Sequence, residues 1–176
     1  MSMEKIMQNY MKAVKYWLSP SFIAILFTPL FATQAATVEV IWTDPDSYQD
    51  IYPAQENKKR FRARTFASLD KHFVKLAAKL PEGQTLKVNV TDVDLAGDTH
   101  LGGINRLRII KEIYFPRITF SYHLLSADGS ELSSAEVNLK DMNFMLSSGL
   151  RYRNKSLGHE KHMLDQWFKK AFLSPK

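Results

Sequence analysis

The sequence contains no cysteine, and it lacks the residue patterns that identify the common catalytic sites. Without cysteine the chain has neither a disulfide nor a thiol nucleophile, so the hydrophobic core alone must stabilise the fold. The 176 residues contain no Gly-x-Ser-x-Gly motif, no Gly-x-x-x-x-Gly-Lys phosphate loop and no dinucleotide-binding glycine pattern. These absences exclude the enzyme classes that such signatures identify.

Long apolar runs are also missing. The strongest one, Phe22–Phe31, has ten residues and is interrupted by Pro29, whereas a membrane-spanning helix needs ~20 apolar residues. It follows a lysine-containing start and precedes small residues that end at Ala35, an order typical of a secretory signal. We therefore expect residues 1–35 to be a cleavable signal peptide, with an uncleaved membrane anchor as the alternative. The exported chain, 36–176, should be a single globular α/β domain without a transmembrane segment.

The composition is that of a packed and mildly basic domain. Hydrophobic residues make up 45%, aromatic residues 12%, and the formal net charge is +6. A basic exported protein would meet anionic components of the cell envelope, and we expect it to act in the periplasm. The basic stretch Arg151–Lys155, with Tyr152 inside it, would suit single-stranded nucleic acid, but export argues against nucleic acid as a partner.

The first half of that domain has the pattern of a β-α-β unit. Alternating apolar residues from Val38 to Trp42 predict a strand, and apolar residues at spacings of three and four predict a helix over about Glu56–Leu80. A second strand is expected to begin near Leu86. Two strands joined by a helix are usually parallel when they lie in one sheet.

The second half predicts a β-hairpin followed by a helix. Residues 107–125 alternate like a strand with a break at Pro116, and Asp128-Gly129 is a turn pair before the returning strand. A final amphipathic helix should begin near Gly158. The sequence thus predicts an α+β two-layer sandwich, in which a mixed sheet of about four strands carries the long helix and the C-terminal helix on one face.

One motif occurs twice, at the ends of the first two predicted strands. Thr-Asp-x-Asp-x-x-x-Asp spans 43–50 and again 91–98. If the strands are parallel neighbours, both stretches leave the same edge of the sheet, where open α/β sheets tend to bind ligands. Their six carboxylates form what we call the acidic rim: Asp44, Asp46, Asp50, Asp92, Asp94 and Asp98.

Two interpretations of the acidic rim are open. In the favoured one the aspartates shape turns and pair with arginines, for which Arg106 and Arg108 are the candidates. In the other they bind a divalent cation, Ca²⁺ or Mg²⁺, or Zn²⁺ or Mn²⁺ if His100 is a ligand. By strand parity Asp92 and Asp94 should point towards the core unless a bulge intervenes. We predict no cofactor and no assigned metal site, with a divalent cation as the alternative.

Two polar segments on the predicted helices are further candidate functional sites. The basic surface at the start of the long helix comprises Lys58, Lys59, Arg60, Arg62 and Arg64. A solvated face is favoured there over an anionic partner or ion pairs with Asp50 and Glu56, although cations at a helix N-terminus are unfavourable. For the stretch 159–162, "HEKH", a solvated helix start is favoured over a metal site.

Several segments together carry a family resemblance. The stretches "VEVIWTDPDSYQDI", "LPEGQTLKVNVTDVDLAGD", "EIYFPRITFSYHLL", "NLKDMNFM" and "LDQWF" occur in this order and span nearly all of the exported chain. They resemble the signatures of a family of small secreted proteins of Gram-negative bacteria that is catalogued only as a domain of unknown function. The resemblance implies export and a single domain, and it brings no activity and no catalytic residue.

The sequence therefore favours a periplasmic, non-enzymatic interaction or accessory module whose partner is an unknown protein or envelope component. A carboxylate- or metal-dependent hydrolase of an envelope substrate, using the acidic rim, is the first alternative. A binder of anionic envelope components, using the basic surface, is the second.

Overall fold

A computed structural model describes residues 34–99, 107–147, 152 and 154–174. Residues 1–33, which hold most of the predicted signal peptide, lie outside the described residues. The same is true of His100 and Arg106, and of Arg151 and Arg153 in the second basic stretch.

The described residues form one four-stranded mixed sheet, as the sequence predicts. The strands are β1 (Thr37–Trp42), β2 (Thr85–Asp94), β3 (Arg117–Leu125) and β4 (Glu131–Lys140). They lie side by side in the order β1-β2-β3-β4. β1 and β2 are parallel, while the β2–β3 and β3–β4 pairs are antiparallel. The predicted β-α-β unit followed by a hairpin is confirmed.

The long helix α1 (Lys58–Ala77) connects β1 to β2 and covers one face of the sheet. It begins after Asn57, whose side chain accepts a hydrogen bond from the Arg60 amide at 3.2 Å and so satisfies one of the free N–H groups of the first turn. Its buried stripe includes Leu69, Phe73 and Leu76. The periodicity therefore predicted the helix and its core face, with ends two to three residues too long.

The C-terminal segment packs on the same face. It comprises a short helix α2 (Phe144–Ser147), the helix α3 (Gly158–Phe168) and a π-helical turn, Lys169–Leu173. The Trp167 ring of α3 lies edge-to-face against the Phe120 ring of β3, with 4.8 Å between centroids, and Phe168 is fully buried. Alternate residues of β3 from Ile118 to Leu124 are buried below these rings, and their neighbours point to the opposite, polar face.

The predicted strand over 107–125 is wrong in its first half. β3 begins at Arg117, which pairs with Asp94, the last residue of β2. No partner strand extends beyond that point among the described residues, so 107–116 makes one isolated bridge, Asp98 with Ile109, and a turn. A strand needs a neighbour for its backbone hydrogen bonds, and an alternating sequence does not supply one.

Of the helices that the structure describes, none is both long enough and apolar enough to cross a membrane.

Candidate functional site

The two halves of the acidic rim meet at one edge of the sheet. Because β1 and β2 are parallel, both chains leave the sheet in the same direction, and Asp50 forms an isolated parallel bridge with Asp94. The Asp50 amide donates to the Val93 carbonyl at 3.4 Å, and the Leu95 amide donates to the Asp50 carbonyl at 3.3 Å. The repeated motif therefore supplies two adjacent segments.

A β-bulge changes the direction of the second aspartate pair. The register shifts between Val90 and Asp92, which leaves one extra residue on β2. After the bulge Val93 is buried, while Asp92 and Asp94 are half-buried. Strand parity placed both aspartates towards the core unless a bulge intervened, and this bulge is that exception, because the extra residue exchanges the two faces of the strand.

Arg108 pairs with Asp50 and links three segments of the chain. Its guanidinium donates to the two Asp50 oxygens at 2.8 and 3.3 Å, to the Gly97 carbonyl at 2.8 Å and to the Tyr52 carbonyl at 2.9 Å. Gly97 has a φ of +84°, and a Cβ there would lie 2.8 Å from the Ile109 carbonyl oxygen. Arg108 thus joins the loop that follows β1 to the loop that follows β2.

Arg117 pairs with Asp94, and the sequence did not indicate this partner. Its Nε and Nη2 donate to one Asp94 oxygen at 3.0 and 2.6 Å, since the two residues face each other across β2 and β3. Burial raises the pKa of the Asp94 carboxyl, the hydrogen bond and charge of Arg117 oppose that rise, and the charges of Asp50 and Asp92 add to it. Identifying Arg117 would have required the register of β3.

The remaining aspartates of the rim mostly shape the two loops. Asp46 pairs with Arg62, and Asp92 accepts a hydrogen bond from the Gln49 amide at 3.1 Å. Asp44 has a positive φ of 47°, and its carbonyl accepts from the Ser47 amide at 3.0 Å, which is turn geometry. Asp98 exchanges two backbone hydrogen bonds with Ile109, at 2.9 and 2.8 Å.

Tyr48 anchors the first of these loops, and sequence reasoning missed it. The ring is buried, and its hydroxyl donates to the Val90 carbonyl, next to the bulge, at 2.8 Å. Burial, reinforced by the charges of Asp92 and Asp44, raises the pKa of Tyr48 to about 12, so the phenol remains a hydrogen-bond donor at any physiological pH. Tyr48 is the one aromatic residue in the two copies of the repeated motif, and this sequence feature could have identified it.

A cavity of about 280 Å³ opens beside the paired carboxylates. Asp50, Asp94 and Arg117 line one side, and Tyr114 and Phe115 line another. Within the described residues no group of three or more histidine, aspartate or glutamate side chains is arranged to hold a metal ion. His100, the nitrogen ligand considered for Zn²⁺ or Mn²⁺, lies outside those residues.

The basic surface is partly engaged by the protein itself. Arg62 pairs with Asp46, Arg64 Nη2 lies 2.7 Å from Glu56 Oε2, and the Lys58 ammonium lies 4.5 Å from the centre of the Tyr52 ring. Lys59 and Arg60 are exposed. The ion pair with Glu56, an alternative to the favoured solvated face, is present.

The alternative ion pair between the basic surface and Asp50 is absent from the described residues. Arg108 occupies that carboxylate instead, at 2.8 Å.

The solvated helix start expected at 159–162 is wrong. Glu160 is 2% exposed, and its Oε1 accepts a hydrogen bond from the Ala96 amide at 2.8 Å. His159 lies edge-to-face against the Phe144 ring, 4.7 Å between centroids. These residues face inward because α3 packs against the loop that follows β2, a contact that the local sequence does not reveal.

Comparison with protein-family models gives one match, over residues 36–170, to the family described as "Protein of unknown function (DUF3016)". No curated protein and no solved structure matches the chain.

Proposed function

The chain belongs to the DUF3016 family, whose description names no activity, and from this premise we propose that it is exported and acts in the periplasm as a non-enzymatic interaction module. Its partner on this proposal is a protein or another component of the envelope. The signal-like composition of residues 1–35 supports export.

The observation that carries the proposal is the engagement of the acidic rim within the fold. Asp46, Asp50 and Asp94 each pair with an arginine, and Asp92 accepts a backbone amide. A carboxylate oxygen that accepts hydrogen bonds from a guanidinium is a weaker metal ligand and a weaker nucleophile than a free one. In this proposal the acidic rim has a structural role, which is to hold the loops after β1 and β2 together.

A hydrolase that uses the acidic rim is the alternative, and one observation favours it. Asp94 borders the 280 Å³ cavity, and burial raises the pKa of its carboxyl, as a general acid requires. Against this, its bound oxygen accepts two hydrogen bonds from Arg117, which must break before a substrate could take that place. The interaction module therefore remains the better supported function.

A thermal melt in the presence of metal ions tests the structural role of the rim. We expect the protein to unfold at the same temperature in EDTA and in Ca²⁺, Mg²⁺, Mn²⁺ or Zn²⁺. Asp94→Asn should lower that temperature equally in every condition, because it removes the charge that Arg117 binds. A bound cation at a hundred times its Kd would instead add about 2.7 kcal/mol to the free energy of unfolding.

Glu39→Gln is the matched control. Glu39 is an exposed carboxylate on the edge strand β1, and it forms an ion pair with Lys87 of β2. This substitution should change the melting temperature little in any condition. A rise specific to one cation that disappears in Asp94→Asn would overturn the structural role and restore the hydrolase.

Export is tested separately with a reporter enzyme that becomes active only outside the cytoplasm. Fused to the C-terminus of the full chain, the reporter should be active in a Gram-negative host. The same fusion lacking residues 1–35 should be inactive, because the lysine-containing start and apolar run are then missing. Equal activity of the two fusions, or inactivity of both with normal amounts of protein, would contradict export.

A further inference from the structure

A cleft lined with lysines lies between α1 and the segment that leads into α3. Its volume is about 260 Å³, smaller than the pockets that take drug-sized ligands. Lys71, Lys75 and Lys79 line it from α1 and the turn after it, and Lys155 and Lys161 line it from the opposite segment. We call these five side chains and the space between them the lysine cleft.

The lysine cleft has almost no compensating negative charge. Among the described residues Asp165 is the single carboxylate that lines it, and this group already lies 3.1 Å from His72 Nε2 and accepts the Tyr152 hydroxyl. None of the five lysines belongs to an ion pair between described residues. Like charges four residues apart on a helix repel one another, and an anion between them would relieve that repulsion.

The helix dipole accounts for two of the five lysines in the lysine cleft. Lys75 lies in the last turn of α1 and Lys79 just beyond it, where the helix dipole favours cations. That effect does not explain Lys155 and Lys161, which come from a different part of the chain and face the same space. The convergence of two independent segments is the feature that favours a ligand.

One ammonium group is held in place at the wall of the cleft. Lys161 Nζ donates to Ser68 Oγ at 2.7 Å and to the Ser156 carbonyl at 2.8 Å, so its position is fixed before any ligand arrives. Burial lowers the pKa of Lys161, the charge of Glu160 opposes that shift, and the charges of Lys75 and Lys155 lower it further. An anion in the cleft would favour the charged form of Lys161 and so oppose the lowering of its pKa.

We propose that the lysine cleft binds the phosphate group of an anionic ligand, with Lys75, Lys155 and the fixed Lys161 as its main contacts. Lysine ammonium groups bind phosphate as point charges, and several around one small cavity suit a compact, multiply charged group. The inference rests on the proposed interaction function and names the ligand chemistry for it. A free phosphorylated molecule and a phospholipid headgroup would both present that group.

The test compares two probes on protein purified after expression of the full chain. Sodium pyrophosphate, titrated by calorimetry, represents a free ligand. Vesicles of phosphatidylcholine with and without phosphatidylglycerol, assayed by co-sedimentation, represent a lipid headgroup. The unmodified protein should bind at least one probe, and added salt should weaken the binding.

Paired variants separate the lysine cleft from general surface charge. Lys75→Gln with Lys155→Gln should weaken binding by about tenfold, because two charge-assisted contacts are lost. Lys111→Gln with Lys140→Gln removes the same charge from exposed positions outside both the cleft and the basic surface, and should leave the Kd within about twofold. Matching melting temperatures would show that both double variants are folded.

Each result has a defined meaning. Cleft-dependent binding of pyrophosphate alone identifies a free phosphorylated ligand, and cleft-dependent binding of the anionic vesicles alone identifies a headgroup. Absence of binding to both probes, or equal weakening in both double variants, overturns the phosphate site. The site would stand if the export reporter were inactive but the cleft still bound its probe, so the two proposals fail independently.

Discussion

Glu160 is a charged side chain at a position where the sequence suggested a solvated one. Its carboxylate lies in the first turn of α3, where the helix dipole favours negative charge, and it accepts the Ala96 amide at 2.8 Å. Leu157, which precedes the helix, makes no side-chain capping hydrogen bond. Glu160 therefore joins the N-terminal end of α3 to the loop after β2.

Replacing Glu160 tests this role. Glu160→Ala should lower the free energy of unfolding by about 2 kcal/mol, because the buried Ala96 amide loses its acceptor. Glu160→Gln keeps a carbonyl oxygen at the same reach and should cost less. Urea denaturation measures both, with the exposed Glu136→Ala expected to change stability by less than about 0.5 kcal/mol. Equal losses for the alanine and glutamine variants would show that the hydrogen bond to Ala96 is not the cause.

The burial of Glu160 illustrates what a single sequence cannot reveal at the residue scale. Its partner Ala96 is 64 positions away, so no local pattern marks the contact. Charged residues are seldom fully buried, and the default expectation for a glutamate in the first turn of a helix is exposure. The sequence predicted α3 and its apolar stripe, and it could not predict which loop the helix would meet.

At the scale of elements, the local spacing of apolar residues was sufficient to predict the helices and strands. It was not sufficient to predict how the strands pair. The buried stripe of α1 and the alternation of β3 follow from spacings within each segment. The bulge after Val90 and the start of β3 at Arg117 depend on the neighbouring strand. The error in the predicted fold, the extra strand before Pro116, arose at such a junction, and so did the bulge that decides the direction of Asp92 and Asp94.

The acidic rim shows the same division. Its two halves were expected to meet only if the first two strands were parallel neighbours, and β1 and β2 satisfy that condition, with a bridge between Asp50 and Asp94 at their edge. Arg108 was a candidate partner because it follows the second motif closely in the chain. Arg117 was missed because it reaches Asp94 through the register of an antiparallel pair, 23 positions away. The order of the elements along the chain could be derived from the sequence, and the strand order and the cross-strand partners could not.

Over the whole molecule, the two charge clusters differ in how far the fold neutralises them. The acidic rim meets arginines on α1, on β3 and on the segment before β3, whereas the lysine cleft faces one carboxylate that is already engaged. Arginine forms two or more directed hydrogen bonds with a carboxylate, and an unpaired lysine remains available to an external anion. This asymmetry places the binding proposal at the lysine cleft rather than at the acidic rim.

His72 connects that cleft to the stability of the whole domain. It lies on α1, contacts Asp165 and the Lys161 carbonyl of α3 at 3.1 Å each, and is mostly buried. Burial lowers the pKa of His72 from its ordinary 6.5, with a further lowering by the charge of Lys161, while Asp165 opposes the shift. The folded state therefore binds a proton at His72 less readily than the unfolded state does.

We expect this difference to appear as a pH-dependent loss of stability. As the pH falls through 6.5 the unfolded chain takes up the proton first, so the free energy of unfolding should decrease, by at most about 1.4 kcal/mol per pH unit for one group. Urea denaturation between about pH 5 and pH 7.5 at fixed salt measures the slope. His72→Gln keeps a polar side chain beside Asp165 and should flatten the profile.

The comparison between the unmodified protein and the variant isolates His72 from the other groups. Burial raises the pKa values of Asp70 and Asp94, so those carboxylates contribute stability that is lost as the pH rises from the acidic side, the opposite sign. Their contributions are present in both proteins and cancel in the difference. A stability difference between the protein and His72→Gln that stays constant with pH would show that His72 has the same pKa in the folded and unfolded states.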